Sequence, residues 1–189
     1  MDERKLSALT AIDQVSGEIC ALSDAIWDVP ETAFLETTAT KLQCETLKKL
    51  GFEVEENLAG IPTAFSGRWG SGKPVIGILG EFDALAGLSQ KANATVKEPI
   101  VAGGNGHGCG HNLIGGGAIA AAYGIKKYLE ENGKSGTVIY FGCPGEEGCA
   151  GKTFMAREGI FKDLDAAITW HPGDTNEIMY GSNAACMQF

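Results

Sequence analysis

Apolar side chains near the start of the chain recur at helical spacing: Leu6, Leu9, Ile12, Val15, Ile19, Leu22 and Ile26 share one face. The pattern predicts a helix over residues 4–28, broken by Pro30-Glu31. A second helix is expected from about Glu36 to Leu50, with Gly51 supplying the left-handed residue that closes it. Residues 52–55 and 63–69 read as strands. Residues 74–79 (PVIGIL) form a short apolar run of the kind found in strands covered by helices on both faces. A polar loop and a glycine-rich stretch, 103–110, lead into the strongest helical pattern, Leu113–Leu129, which ends at Glu131-Asn132-Gly133. Further strands are expected at 137–141 and 166–170, with a helical segment around 152–158 between them. Apolar strands alternating with helices predict an α/β fold, a largely parallel mixed sheet sandwiched by helices.

Composition narrows the function. The 189 residues carry a net charge of −9 and no cluster of Lys or Arg. Nucleic acid and anionic membranes both need a basic patch, so neither is an expected partner. No signal peptide and no run long enough to span a bilayer is visible, which points to a cytoplasmic protein. There the six cysteines (20, 44, 109, 143, 149 and 186) stay reduced. The Asn93-Ala94-Thr95 sequon then has no use.

The candidate chemistry gathers at strand ends. Asp83 follows the run 74–79, and Cys109 and His111 precede the long helix. Glu146 and Glu147 follow 137–141, and His171 follows 166–170. Loops at the carboxyl edge of an open α/β sheet converge on one crevice, so these segments are expected to build one site. A thiolate, imidazoles and a carboxylate are ligands for zinc and similar divalent ions. Adjacent side chains diverge, so one glutamate can bind metal while the other faces a water and takes its proton. Taken singly, each residue has a plainer reading: a solvated helix start for Glu146-Glu147, an N-cap for Asp83, ordinary loop or strand end for Cys109, His111 and His171. Four segments delivering ligand types to one edge outweigh those readings together. His107, the remaining one of three histidines, reads as a loop residue rather than a ligand.

Gly106-His107-Gly108-Cys109-Gly110-His111-Asn112 resembles the His-x-Cys-Gly-His-Asp signature of the aminoacylase/carboxypeptidase-type dinuclear metallopeptidases and amidohydrolases. Gly80-Glu81-Phe82-Asp83-Ala84-Leu85, Cys143-Pro144-Gly145-Glu146-Glu147 and Trp170-His171-Pro172 are similar to further elements of that family, in the same order. The wording is nearest to the branch of p-aminobenzoyl-glutamate hydrolases. The resemblance implies two divalent metal ions, zinc or manganese, held by Cys109, His111, Glu147 and His171. Glu146 is then the general base, and Asp83 orients a ligand. It also implies hydrolysis of the amide bond in N-acyl amino acids or dipeptides, with p-aminobenzoyl-glutamate-like substrates expected, and a full-length homo- or hetero-oligomer. Two departures stand out. Glu81 occupies a place where other branches carry a His ligand, and Asn112 replaces the usual Asp, which bears on hydrogen bonding around the ligands. On this resemblance residues 1–175 are the N-terminal part of the catalytic domain. Residues 176–189, where a strand-like pattern begins at Ile178, start a lid or dimerisation domain. No histidine follows His171, although the family has a further His ligand. The chain then reads as a truncated portion, and the alternative function is an inactive fragment of such an enzyme.

Other readings are weaker. A cysteine hydrolase with Cys109 as nucleophile and His111 as base leaves the glutamate pair unused. Residues 67–73 fit much of a phosphate-loop spacing, but Pro74 stands where Ser or Thr is required and a strand follows. Gly115–Ala120 mimics a dinucleotide fingerprint inside a helix, where close helix packing explains it better.

Overall fold

The computed structural model describes residues 3–175, and the expectation for 176–189 lies outside them. Helix α1 spans Glu3–Trp27 and α2 spans Thr37–Lys49, followed by β1 (Glu53–Glu56), β2 (Phe65–Ser71) and β3 (Val75–Glu81). Then come α3 (His111–Glu131), β4 (Gly136–Cys143), a helical turn α4 (Glu146–Cys149), α5 (Gly151–Arg157) and β5 (Ala166–Ile168). Each helix and strand expected from the periodicity is present, with ends moved by a few residues.

The strands form one sheet in the order β1-β2-β4-β3-β5. Parallel pairing holds β3 to β4 and β3 to β5, whereas β1–β2 and β2–β4 are antiparallel. The sheet is thus mixed, and its parallel part is the part that carries the candidate ligands. Although β2 and β3 are separated by only three residues, they do not pair; β4 lies between them.

Alternation along β4 sorts the two faces. Val138 and Tyr140 join the main core with Ile19, Leu22, Ile26, Leu47, Phe65, Ile78, Phe82 and Ile119, beneath α1, α2 and α3. Ile139, Phe141 and Cys143 point the other way, toward Leu58, Ala64, Met155, Phe161 and Leu164, so α5 and its following turn cover the second face. Helices therefore flank the sheet on both sides. No helix among the described residues is long and apolar enough to cross a membrane.

The glycines of α3 explain how closely it is packed. A Cβ on Gly115 would lie 3.0 Å from Gln43 Oε1 and 3.2 Å from the Glu81 carbonyl oxygen. One on Gly117 would lie 2.8 Å from the Trp170 ring, and one on Gly124 2.7 Å from Ile12 Cδ1. The run is a packing surface on three sides. It lets the helix that starts at His111 settle against the end of β3.

Candidate metal centre

The site is built where β3 and β4 end side by side, with Glu81 in register with Cys143. Beyond β3, Phe82 enters the core while Glu81 and Asp83, two residues apart, both stay buried on the site side. The turn at 107–110 is closed by the Gly110 N–H donating to the His107 carbonyl at 3.1 Å, with Gly110 at φ 79°. It sets Cys109 at the rim and starts α3 on His111. Beyond β5, Thr169 and Trp170 lead to His171.

His111 is the hub. It is fully buried, and its Nδ1 lies 3.1 Å from Asp83 Oδ1. An ionised Asp83 only accepts, so Nδ1 carries the proton and Nε2 presents its lone pair to the site. That Nε2 is buried without a hydrogen-bond partner. Around it stand Glu81 Oε2 at 3.3 Å, Glu146 Oε2 at 3.8 Å and Glu147 Oε1 at 3.8 Å. Glu147 Oε1 is likewise buried and unpaired. Across the site His171 Nε2 lies 3.2 Å from Cys109 Sγ, and its Nδ1 donates to the Pro172 carbonyl at 2.9 Å, which again leaves Nε2 as the free nitrogen.

Among the described residues two groups bring ligand atoms close enough to share an ion: Cys109, His111 and His171, and Glu81, His111 and Glu146. Both include His111. Glu147 belongs to neither group, yet its main-chain N–H donates to Asp83 Oδ2 at 2.9 Å, so Asp83 bridges a candidate ligand ring and the loop of the glutamate pair. The two glutamates diverge less than adjacent positions in a regular element: both reach the same nitrogen, because Glu147 (φ −73°, ψ 71°) and Gly148 (φ 107°) leave the helical conformation.

The charge balance is lopsided. Glu81, Asp83, Glu146 and Glu147 crowd one locus, and the cation paired there is Lys152, which donates to Glu81 Oε1. Burial is the largest influence on Cys109, whose thiol is pushed up to about 11, with the Glu147 carboxylate and the charges of Glu146 and Glu81 adding to it. Burial also raises the Glu146 carboxyl, helped by Glu81 and opposed by Lys152 and His111. Burial disfavours charge on His111, but Asp83, Glu81 and Glu147 together hold its pKa above the ordinary value. Burial opposes ionisation of Asp83 too, and there the hydrogen bonds from His111 and the Glu147 N–H prevail and keep the carboxyl low. A locus with excess negative charge and two unpaired buried acceptor atoms suits divalent cations.

All six residues singled out from sequence, Asp83, Cys109, His111, Glu146, Glu147 and His171, lie at this edge. His107 stands behind it, its Nε2–H on the Ile26 carbonyl at 3.1 Å and its pKa lowered by burial. Asn112 turns away from the ligands: its Nδ2 donates to Ser23 Oγ at 3.0 Å and ties α3 to α1. Sequence reasoning noted Glu81 only as a departure and passed over Lys152. The signal for Glu81 was its i, i+2 spacing from Asp83, which puts both on one side of an extended segment.

A family model, peptidase family M20/M25/M40, matches residues 77–182. The chain is 55% identical over 151 residues to one of the subunits of the p-aminobenzoyl-glutamate hydrolase of Escherichia coli (strain K12), an overlap covering 80% of this chain and 31% of that one. It is 33% identical over 186 residues to the Xaa-Arg dipeptidase of Mus musculus, covering 91% of this chain and 39% of that one. The chain thus spans about a third of the length of these relatives. Its fold is similar to that of the YXEP protein of Bacillus subtilis, a dinuclear metal-binding peptidase, with a TM-score of 0.65 at 23% identity over 82% of this chain and 42% of that one. The matched span runs from within β3 to beyond His171 and takes in every candidate ligand, and the chain belongs to the peptidase family M20/M25/M40.

Proposed function

We propose that this chain carries most of the active site of a metal-dependent amidohydrolase, which cleaves the amide bond of N-acyl amino acids or dipeptides. The observation that carries the reading is the buried, unpartnered His111 Nε2, faced by carboxylates on one side and by the Cys109–His171 pair on the other. Cys109, His111, Glu147 and His171 would hold two divalent ions, zinc or manganese. Such ions lower the pKa of a water from about 16 toward about 7 and polarise the scissile carbonyl.

The protein's own part is proton handling and orientation. Glu146, partly exposed and with a raised pKa, accepts the proton of the attacking water and delivers it to the leaving nitrogen. Asp83 fixes the His111 tautomer and the Glu147 backbone together. The similarity to the Escherichia coli p-aminobenzoyl-glutamate hydrolase favours an aminobenzoyl amino acid as substrate. That relative is one subunit of its enzyme, which favours an oligomer here. The setting in this reading is cytoplasmic, where a thiol such as that of Cys109 stays reduced and free to bind metal. In the same reading residues 1–175 are catalytic and 176–189 open a lid or dimerisation domain.

One observation favours a second reading. The 3.2 Å approach of His171 Nε2 to Cys109 Sγ is the geometry of a cysteine nucleophile and its base, with His171 rather than His111 in the second role. A thiol at about 11 in an acidic surround is a poor nucleophile, however, and leaves the carboxylates unused. Elemental mass spectrometry of the dialysed chain and of Cys109→Ala decides between them. Divalent metal retained by the parent and reduced in the variant supports the metal centre. A metal-free chain that loses hydrolytic activity on alkylation by iodoacetamide supports the cysteine reading. Hydrolysis of p-aminobenzoyl-glutamate by the metal-loaded chain refutes the inactive-fragment alternative.

A further inference from the structure

The connection between α1 and α2 contains a buried carboxyl group that neither helix uses. Glu36 stands at the N-cap of α2 but makes no side-chain cap. Glu31 does that work, its carboxylate accepting the N–H groups of Thr38 (2.9 Å) and Ala39 (3.0 Å). Glu36 is fully buried, where an isolated carboxylate is costly. Its Oε1 accepts the Gly145 N–H at 2.8 Å, and its Oε2 is buried with no partner.

We propose, on the reading of the site given above, that Glu36 is a positioning residue of the centre, holding through the Gly145 amide the loop that presents Glu146 and Glu147. The loop then has two buried carboxylate anchors on alternate amides: Glu36 on Gly145 and Asp83 on Glu147. Surrounding contacts make the anchor firm. Phe34, held at φ 63°, lays its ring against Gly145, where a Cβ would come within 2.8 Å of it. A Cβ on Gly151 would collide with the Pro144 carbonyl, so the loop is closed at its far end as well. The same connection also grips the Asp83 loop: the Ala84 N–H donates to the Glu31 carbonyl at 2.8 Å, and Thr32 bridges Ala84. Residues 31–36 therefore brace both loops that supply carboxylates to the site, and Glu36 is the side chain through which the brace reaches the glutamate pair.

The test compares Glu36→Leu and Glu36→Gln with the parent chain by Co²⁺ titration, followed by thiolate-to-metal absorption, and by hydrogen exchange of the Gly145–Glu147 amides. Thermal unfolding serves as the control for folding. Glu36→Leu is expected to weaken Co²⁺ binding by about 10- to 100-fold, the usual effect of losing a group that orients ligands, and to speed exchange at these amides. Glu36→Gln keeps an oxygen acceptor and restores both readouts. Parent-like Co²⁺ affinity and exchange in a folded Leu variant would overturn the proposal, as would a Gln variant no better than Leu. Should Leu fail to fold, Glu36→Asp, which withdraws the oxygen by one methylene, is expected to loosen the loop and weaken Co²⁺ binding; parent-like values in that variant also overturn it. A parent chain that takes up no Co²⁺ defeats the metal-centre reading, while the exchange measurement still judges the brace.

Discussion

At the scale of single residues, Asp83 carries the most structural consequence for its size. One oxygen accepts from His111 Nδ1 and the other from the Glu147 N–H, and both bonds require an acceptor. Asp83→Asn offers one oxygen and one NH₂, so one of the two contacts becomes donor against donor. If the amide turns its NH₂ to His111, the imidazole loses its reason to keep the proton on Nδ1. The expected result is a 10- to 100-fold loss of divalent-metal affinity with the fold retained, read by competition with a chromogenic chelator. Unchanged affinity would mean that His111 does not depend on Asp83 for its orientation. The ligand types at this site were legible because each falls directly after an apolar run or before a long helix. Lys152 was not, since its pairing with Glu81 joins positions 71 apart and nothing local marks it.

Elements position these residues, and α3 does most of it. The Gly115-Gly116-Gly117 run faces three different neighbours, and the adjacent glycines are not equivalent. A Cβ on Gly116 would meet Ile19 and Ser23 at 3.5–3.7 Å, an ordinary contact. Gly116→Ala should therefore realise most of the helix-propensity gain, up to about 1 kcal/mol of stability. Gly115 has the Glu81 backbone oxygen at 3.2 Å, which cannot swing aside as a side chain does. Gly115→Val is expected to cost about 1–3 kcal/mol through overpacking and, by pushing the start of α3 off the end of β3, to weaken metal binding as well. Urea denaturation of the two variants checks the opposite signs; a destabilised Gly116→Ala would show that α1 and α3 have no slack. Periodicity alone revealed α1, α2 and α3, because a one-sided apolar face repeats locally. The insertion of β4 between β2 and β3 was hidden, since a three-residue link between two apolar runs looks the same whether the strands pair or part.

At the scale of the whole molecule, charge connects fold and function. The chain is net negative by nine, and four of its carboxylates converge on one edge beside a buried imidazole whose Nε2 has no partner. Without cations that arrangement works against folding, because like charges are held together in a poorly solvated place. A divalent ion bound only by the folded chain reverses the effect by mass action, contributing about 2.7 kcal/mol when its free concentration is a hundred times its dissociation constant. For a chain of this length each kcal/mol moves the melting temperature by roughly 2–4 °C. Saturating Mn²⁺ or Zn²⁺ should therefore raise it by roughly 5–11 °C on these two scales, and EDTA should return it. His111→Ala, which deletes the nitrogen common to both candidate groups, should abolish the shift. Cys109→Ala, which belongs to one group, should reduce the shift and leave part of it, so the difference between the two variants measures how far the carboxylate side of His111 holds an ion without the thiolate. An equal shift in all three proteins would place the stabilising ion elsewhere on an acidic surface and sever the link between the buried imidazole and metal binding.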